Sequence, residues 1–230
     1  VIFTPDEFLA ILEQFNRALG SLNLVAYALG VAAILLALWK GTAAGQGISG
    51  LLGTLWVCTG LVFHIFFFRS LTSMALVFGA AFILQGGMLF WSGVMKQELR
   101  FSPTKDIYGI VGWLLIVYSM IGYPLIGNML GHGTEHSLAF GITSGPLVVF
   151  SFGLLLWVGD GLPRHLMFIP FVAGMLESIF LLSSGMYEDI GAGIAALAGS
   201  LLIIKHETAA TALRLKSHEI RAHAAIKAKE

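Results

Sequence analysis

Seven stretches of the chain are apolar at nearly every position, and the polar residues between them gather in short clusters. The stretches lie near 21–40, 47–68, 72–95, 107–130, 138–158, 164–184 and 189–205. A bilayer crossing takes about 20 mostly apolar residues, so each is long enough to be a transmembrane helix. The connections carry charges or turn formers: Lys40 to Gln46, Arg69 to Leu71, Lys96 to Asp106, Gly131 to Ser137, Gly159 to Pro163, and Gly185 to Glu188. The two ends follow another pattern. Thr4-Pro5-Asp6-Glu7 is a capping box with proline at the first helical position. Phe8, Ile11, Leu12, Phe15 and Leu19 then recur at helical spacing, opposite Glu13, Gln14 and Arg17. This predicts an interfacial amphipathic helix over 1–20. After Lys205 the chain is rich in alanine and basic residues, which predicts a cytoplasmic helix over 206–230. The expected fold is all-α: a polytopic membrane bundle of about seven helices over 21–205, with a surface helix at each end.

Composition agrees with that pattern. The 230 residues are 57% hydrophobic and 11% charged, with mean hydropathy +0.86. A soluble domain has about 25% charged residues. Formal net charge is zero, so nucleic acid is not an expected partner. The one cysteine, Cys58, excludes an internal disulfide and a cysteine-based zinc finger; it is expected as a small residue of the membrane core. The acidic, amphipathic start lacks the basic-then-apolar form of a secretory signal peptide.

Charge placement sets the expected orientation. With seven spans, Arg17 and Arg69 fall on one side, and the other eleven basic residues fall on the opposite side. These include Lys40, Lys96, Arg100, Lys105, Arg164 and the tail. Basic residues favour the cytoplasmic side. The N-terminus is therefore expected outside and the C-terminus in the cytoplasm. The helix over Lys205–Glu230 is either an anchor on anionic lipid or a docking element for a membrane-complex partner.

Glycines at 79, 86 and 93, and Gly191, Ala195 and Gly199, recur at spacings that let helices approach closely. Pro124, Pro146 and Pro170 interrupt three successive spans, and broken helices in bundles often border cavities.

Ionisable groups at membrane depth are costly and mark candidate sites. Glu177 stands 13 residues past Arg164, about 20 Å along a helix. His64 lies five residues before Arg69, roughly 7 Å from the outer surface. With Tyr123, Glu188 and Asp189 they point to an outward-facing polar cavity. Gln85 and Asn23 are expected as interhelical hydrogen-bonders. His132, Glu135 and His136 spell H-x-x-E-H, which serves as a zinc site when it is helical. Glycines at 131 and 133 oppose helix there, so His132 and His136 are only candidate divalent-metal ligands, and a solvated loop is the favoured reading. No Walker loop, dinucleotide glycine fingerprint, mid-span lysine for a retinal Schiff base or pair of deep histidines for haem is present. No cofactor is expected.

Further along, FHIFFF (63–68), FGAAFILQ (78–85), GYPLIGNMLGH (122–132), FSFGLLLWV (150–158), the IP pair at 169–170 and the ED pair at 188–189 form an ordered set. In order and spacing they resemble an uncharacterised bacterial family of multi-pass membrane proteins, domain of unknown function 6064. The similarity covers roughly 3–204 and leaves the basic tail outside. The resemblance implies a polar signature at His64, Tyr123, Pro124, His132 and Asp189. It leaves Glu135 and His136 in a variable-looking loop, which speaks against the peptidase reading. The family's Pro-Cys-Pro-Thr segment is replaced here by Ile142-Thr143-Ser144-Gly145-Pro146, so any ligand that thiol supplied is missing. Members are sometimes labelled permeases, and no established activity is implied.

Three functional readings follow: a small permease or channel-like protein, an accessory or scaffolding subunit, and a metalloenzyme built on His132 and His136. The residues lean away from an enzyme.

Overall fold

In the computed structural model, residues 4–39, 41–133, 135–159, 161–182 and 185–227 are described. Eight α-helices account for most of them: α1 (Pro5–Trp39), α2 (Thr42–Cys58), α3 (Met74–Leu89), α4 (Ile107–Val117), α5 (Tyr123–Met129), α6 (Ser144–Leu155), α7 (His165–Leu182) and α8 (Ile190–Lys227). Three wider π-helical segments extend or join them, at Thr59–Phe67, Phe90–Met95 and Tyr118–Gly122. Six helical units among the described residues are long and apolar enough to cross a membrane. The seventh, α6, is shorter, and all twelve of its residues are buried.

Contacts along the helices fix their directions. Ring pairs Phe15–Phe63 and Phe8–Phe68 tie the start of α1 to the end of the α2 unit. Asn16 Nδ2 donates to the carbonyls of Glu135 and Ser137, at 2.7 and 2.9 Å. His132 meets Glu188. At the opposite end Gln46 donates to Val94 O, Phe101 bridges Val158, and Arg164 reaches Glu207. The N-terminal residues, the turn near 72 and the loops near 132 and 187 therefore share one end. The loops near 98 and 160 share the other with the helix that carries the tail. Neighbouring crossings are antiparallel; among the described side chains, Arg17 and Arg69 lie toward the first end and Lys96, Arg100, Lys105, Arg164 and Lys205 toward the second. The side chains of Lys40 and of the tail beyond Thr208 lie outside the described residues.

Three sequence expectations need correction. The boundary expected at 20/21 has no counterpart, because α1 runs unbroken. Its Phe8, Leu12 and Phe15 stripe is buried within the bundle. The boundary expected near 205 is likewise absent, since α8 continues through it. The run 138–158 is not one helix: 138–143 is irregular yet mostly buried, and only 144–155 is helical. Backbone of that kind is tolerated at membrane depth only when protein surrounds it. Cys58 lies on the outer surface of the second span.

The capping box is present: Glu7 N donates to Thr4 Oγ1 at 3.3 Å and Thr4 N to Glu7 Oε2 at 2.7 Å. The recurrent glycines seat α3 directly on α2. A Cβ on Gly86 would lie 2.6 Å from Gly53 O, and one on Gly79 would lie 2.9 Å from Gly60 O.

Prolines inside two helices have a matched remedy. Proline lacks an N–H, so the carbonyl four residues earlier loses its donor. Pro124 strips Met120 O, and Tyr27 of α1 donates its hydroxyl there at 2.7 Å. Pro170 strips Leu166 O, and Gln85 of α3 donates its amide there at 2.9 Å. Each break is closed by another span, so the kinks are locked to the bundle.

Candidate functional site

Irregular backbone converges at one end of the bundle. A π-helical segment carries His64, a second leads into Tyr123, and α6 begins beneath them at Ser144. Such segments are rare and recur at functional sites. Here they turn polar side chains inward that a regular helix would spread around its circumference.

Two adjoining clusters result. In the first, Tyr123 Oη donates to Asp189 Oδ1 at 3.0 Å, and Tyr118 Oη donates to Glu188 O at 2.6 Å. His132 Nδ1 lies 3.0 Å from Glu188 Oε1. Ser178 donates to Asp189 O and accepts from Gly193 N at 2.7 Å, knitting α7 to α8. Gly145 makes room for this arrangement: a Cβ there would lie 1.9 Å from Asp189 Oδ1. Asp189 and Glu188 are 0% and 2% exposed, and each keeps one carboxylate oxygen without a partner.

The second cluster is His64 and Glu177. They are 2% and 6% exposed, and both ring nitrogens and both carboxylate oxygens lack a hydrogen-bond partner. The two side chains line one cavity of about 40 Å³ with Ser144, Thr72, Phe63, Phe68 and Phe78 among its walls. That is room for one or a few water-sized molecules. The imidazole stacks on Phe78 with ring centres 5.7 Å apart, and its centre is 4.6 Å from that of Phe82. The Ser144 hydroxyl is near Glu177 without making a well-formed bond to it. Glu177 is also within electrostatic reach of Asp189.

Four of the sequence-selected residues thus gather around the first turn of α6: Tyr123 and Asp189 on one side, His64 and Glu177 on the other. Glu188 belongs to the first cluster with His132. H-x-x-E-H does not assemble. His132 turns inward, Glu135 lies 3.5 Å from Arg17, and His136 Nε2 lies 3.6 Å from Glu13. Among the described residues, no group of three or more His, Cys, Asp or Glu side chains is placed to hold a metal ion.

Tyr118, Ser178 and Gly145 were not singled out in the sequence. Ser178 follows Glu177 and Gly145 precedes Pro146, whereas Tyr118, five residues before Tyr123, had no signal beyond its place in the same span. A cleft of about 330 Å³ lies between α1 and segment 135–142, lined in part by Asn16, Arg17, Asn23 and Tyr27. It is polar and separate from the His64–Glu177 cavity.

The family model described as "Family of unknown function (DUF6064)" matches residues 5–214. The match extends ten residues past the limit expected from the motifs and includes the start of the basic tail. No curated protein and no solved structure matches the chain.

Proposed function

Because the chain belongs to this family of unknown function, which carries no activity to inherit, we propose from its own geometry that it is a small permease or channel-like protein. The observation behind this reading is the His64–Glu177 cavity. Two ionisable side chains, nine-tenths or more buried, border one small, largely apolar cavity, and none of their polar side-chain atoms has a hydrogen-bond partner. Buried polar groups are normally hydrogen-bonded, and at membrane depth such exceptions mark sites for ions, protons or polar solutes. His64 and Glu177 are the proton- or ion-responsive groups in this reading. Tyr123, Asp189 and Glu188 hold the adjacent wall. The broken fifth crossing adds support, since half-helices ending at mid-membrane sites are a recurrent transporter device. Lysine and arginine placement supports an outward-facing cavity in a bacterial inner membrane as part of this reading. The test is flux in liposomes under proton or salt gradients. Glu177→Gln is expected to lower it by about tenfold or more; parent protein that supports no flux under any gradient removes the proposal.

A second reading, an accessory subunit of a larger membrane complex, draws on α8. At 38 residues it is about 57 Å long, against a hydrocarbon core of about 30 Å. Its far half is available to a partner outside the bilayer. Migration as a single species on native gels after mild extraction would count against it. The metalloenzyme reading has no converging ligand set among the described residues to support it.

A further inference from the structure

A groove of about 350 Å³ runs between α7 and α8 at the end of the bundle that carries most of the described basic side chains. Its origin lies in residue size along the two helices. Farther from that end, small residues press them together: a Cβ on Gly174 would lie 2.9 Å from Ala192 O and 3.0 Å from the Ala196 side chain. From that contact to the basic end the interval is walled by Met167, Phe168 and Phe171 of α7 and by Leu197, Leu201 and Ile204 of α8. Gln85 of α3 holds the Leu166 carbonyl freed by Pro170, so this part of α7 is fastened to α3. The groove is open to the side, where Phe168 and Leu201 stay exposed. Arg164 to Phe171, like Ile204 back to Leu197, is seven residues, about 10 Å of helix. Half of a hydrocarbon core is about 15 Å, so the groove fits within one leaflet.

The helical period sets two cations at its mouth. Arg164 stands four residues before Phe168, and Lys205 four after Leu201; residues four apart share a helix face. The apolar wall on each helix thus ends in one exposed cation. Arg164 Nε donates to Glu207 Oε2 at 3.3 Å, yet the arginine side chain remains 73% exposed. That contact steadies the guanidinium without neutralising the mouth, since Arg164 and Lys205 outnumber Glu207. His206 turns instead to the ring of Tyr108. The helix α7 begins at His165, so the positive end of its backbone dipole lies beside Arg164. A positive mouth over an apolar trough that opens sideways matches an anionic head on a hydrocarbon tail. A soluble anion would leave the wall unused, and an uncharged lipid would leave the cations unused. We infer that the α7–α8 groove is a binding site for one anionic phospholipid of the bilayer. Its phosphate is held by Arg164 and Lys205, and the upper part of an acyl chain lies against Phe168, Phe171, Leu197 and Leu201. The site is separate from the His64–Glu177 cavity and does not depend on the permease reading.

The experiment is native mass spectrometry of the full chain in mild detergent, with phosphatidylglycerol and phosphatidylcholine of identical acyl chains added in turn. One phosphatidylglycerol is expected to stay bound, about tenfold or more tighter than phosphatidylcholine. Arg164→Gln and Lys205→Gln should each weaken phosphatidylglycerol about fivefold and leave phosphatidylcholine unchanged. Leu201→Trp, which fills the trough, should weaken both lipids, and Arg69→Gln at the opposite end should change neither. Thermal melting checks that each variant is folded; Leu201→Trp keeps the inference exposed should a charge variant fail to fold. Equal retention of the two lipids overturns it, as does unchanged phosphatidylglycerol binding in the folded charge variants or an equal loss on Arg69→Gln. Displacement of the lipid by glycerol phosphate alone overturns the part given to the acyl chain. A dimer of the chain that comes apart on Leu201→Trp would put a second copy in the groove and overturn the lipid. Flux in liposomes bears only on the permease reading, so either proposal can fail without the other.

Discussion

The two polar clusters lie side by side around the first turn of α6, and they are built on opposite terms. Asp189 and Glu188 each spend one oxygen on a partner from another element, and Tyr118, Tyr123, Ser178 and His132 complete the joint. The His64 ring and the Glu177 carboxylate have no hydrogen-bond partner. A partnered carboxylate inside a membrane fastens helices together, whereas an unpartnered one is held ready for something that is not part of the chain. Burial is similar in both clusters, so burial alone does not separate a joint from a site. The separating quantity is how many polar atoms are already satisfied.

That contrast can be tested by how much stability each cluster carries, read as unfolding free energy in mixed micelles. The largest effect is expected from Gly145→Val, whose side chain would enter the space of Asp189 Oδ1; a loss of about 3 kcal/mol is expected, at the upper end for overpacking. Tyr123→Phe removes the one donor to Asp189 and should cost about 2 kcal/mol, the penalty of orphaning a buried acceptor.

Asp106 gives a reference carboxylate at the far end of the bundle, outside the spans. It caps α4 by accepting from Tyr108 N and Gly109 N. The Thr104 hydroxyl, followed by the Gly109 amide, holds its carboxyl below the ordinary value. Asp106→Ala should cost about 1 kcal/mol. The folded form is the more acidic one. The contribution is therefore present above the carboxyl's ordinary value and is lost as pH falls through the lowered one; a pH series of unfolding curves should show parent and variant converging in acid. The smallest effect belongs to Glu177→Gln, which breaks no hydrogen bond in the protein and should shift stability by less than about 0.5 kcal/mol. A loss as large as that of Tyr123→Phe would erase the distinction between joint and site.

Much of this arrangement was legible in the residues, and what was hidden has a physical reason. Span number and the two ends of the bundle follow from hydropathy and charge, which act residue by residue, and they reappear in the pairing of Phe8 with Phe68 and Arg164 with Glu207. The glycine spacing on α3 correctly indicated close internal packing. Hydropathy could not reveal that 138–158 is half irregular, because apolar residues look alike whether lipid or protein covers them. The cluster of glycines from 131 to 145 with Thr143 and Pro146 was the available hint. The smooth passage from the amphipathic start into the first span was also hidden. A stripe of Phe8, Leu12 and Phe15 suits a lipid surface and a neighbouring helix equally well. Depth assigned His64, Tyr123, Glu177 and Asp189 to one expected layer, but their division into two clusters depends on rotation about each helix axis. That rotation is set by the π-helical segments, which have no reliable signature in a single sequence.

Those segments have a mechanical consequence. A π-turn holds a surplus residue in the ladder of backbone bonds, much as a dislocation holds an extra half-plane in a crystal. Moving it along the helix by one position exchanges one hydrogen bond for another and turns the residue it passes by about 100°, the angle between successive residues. Thr59–Phe67 carries His64 inside such a dislocation. The position of that defect therefore sets which way the imidazole faces.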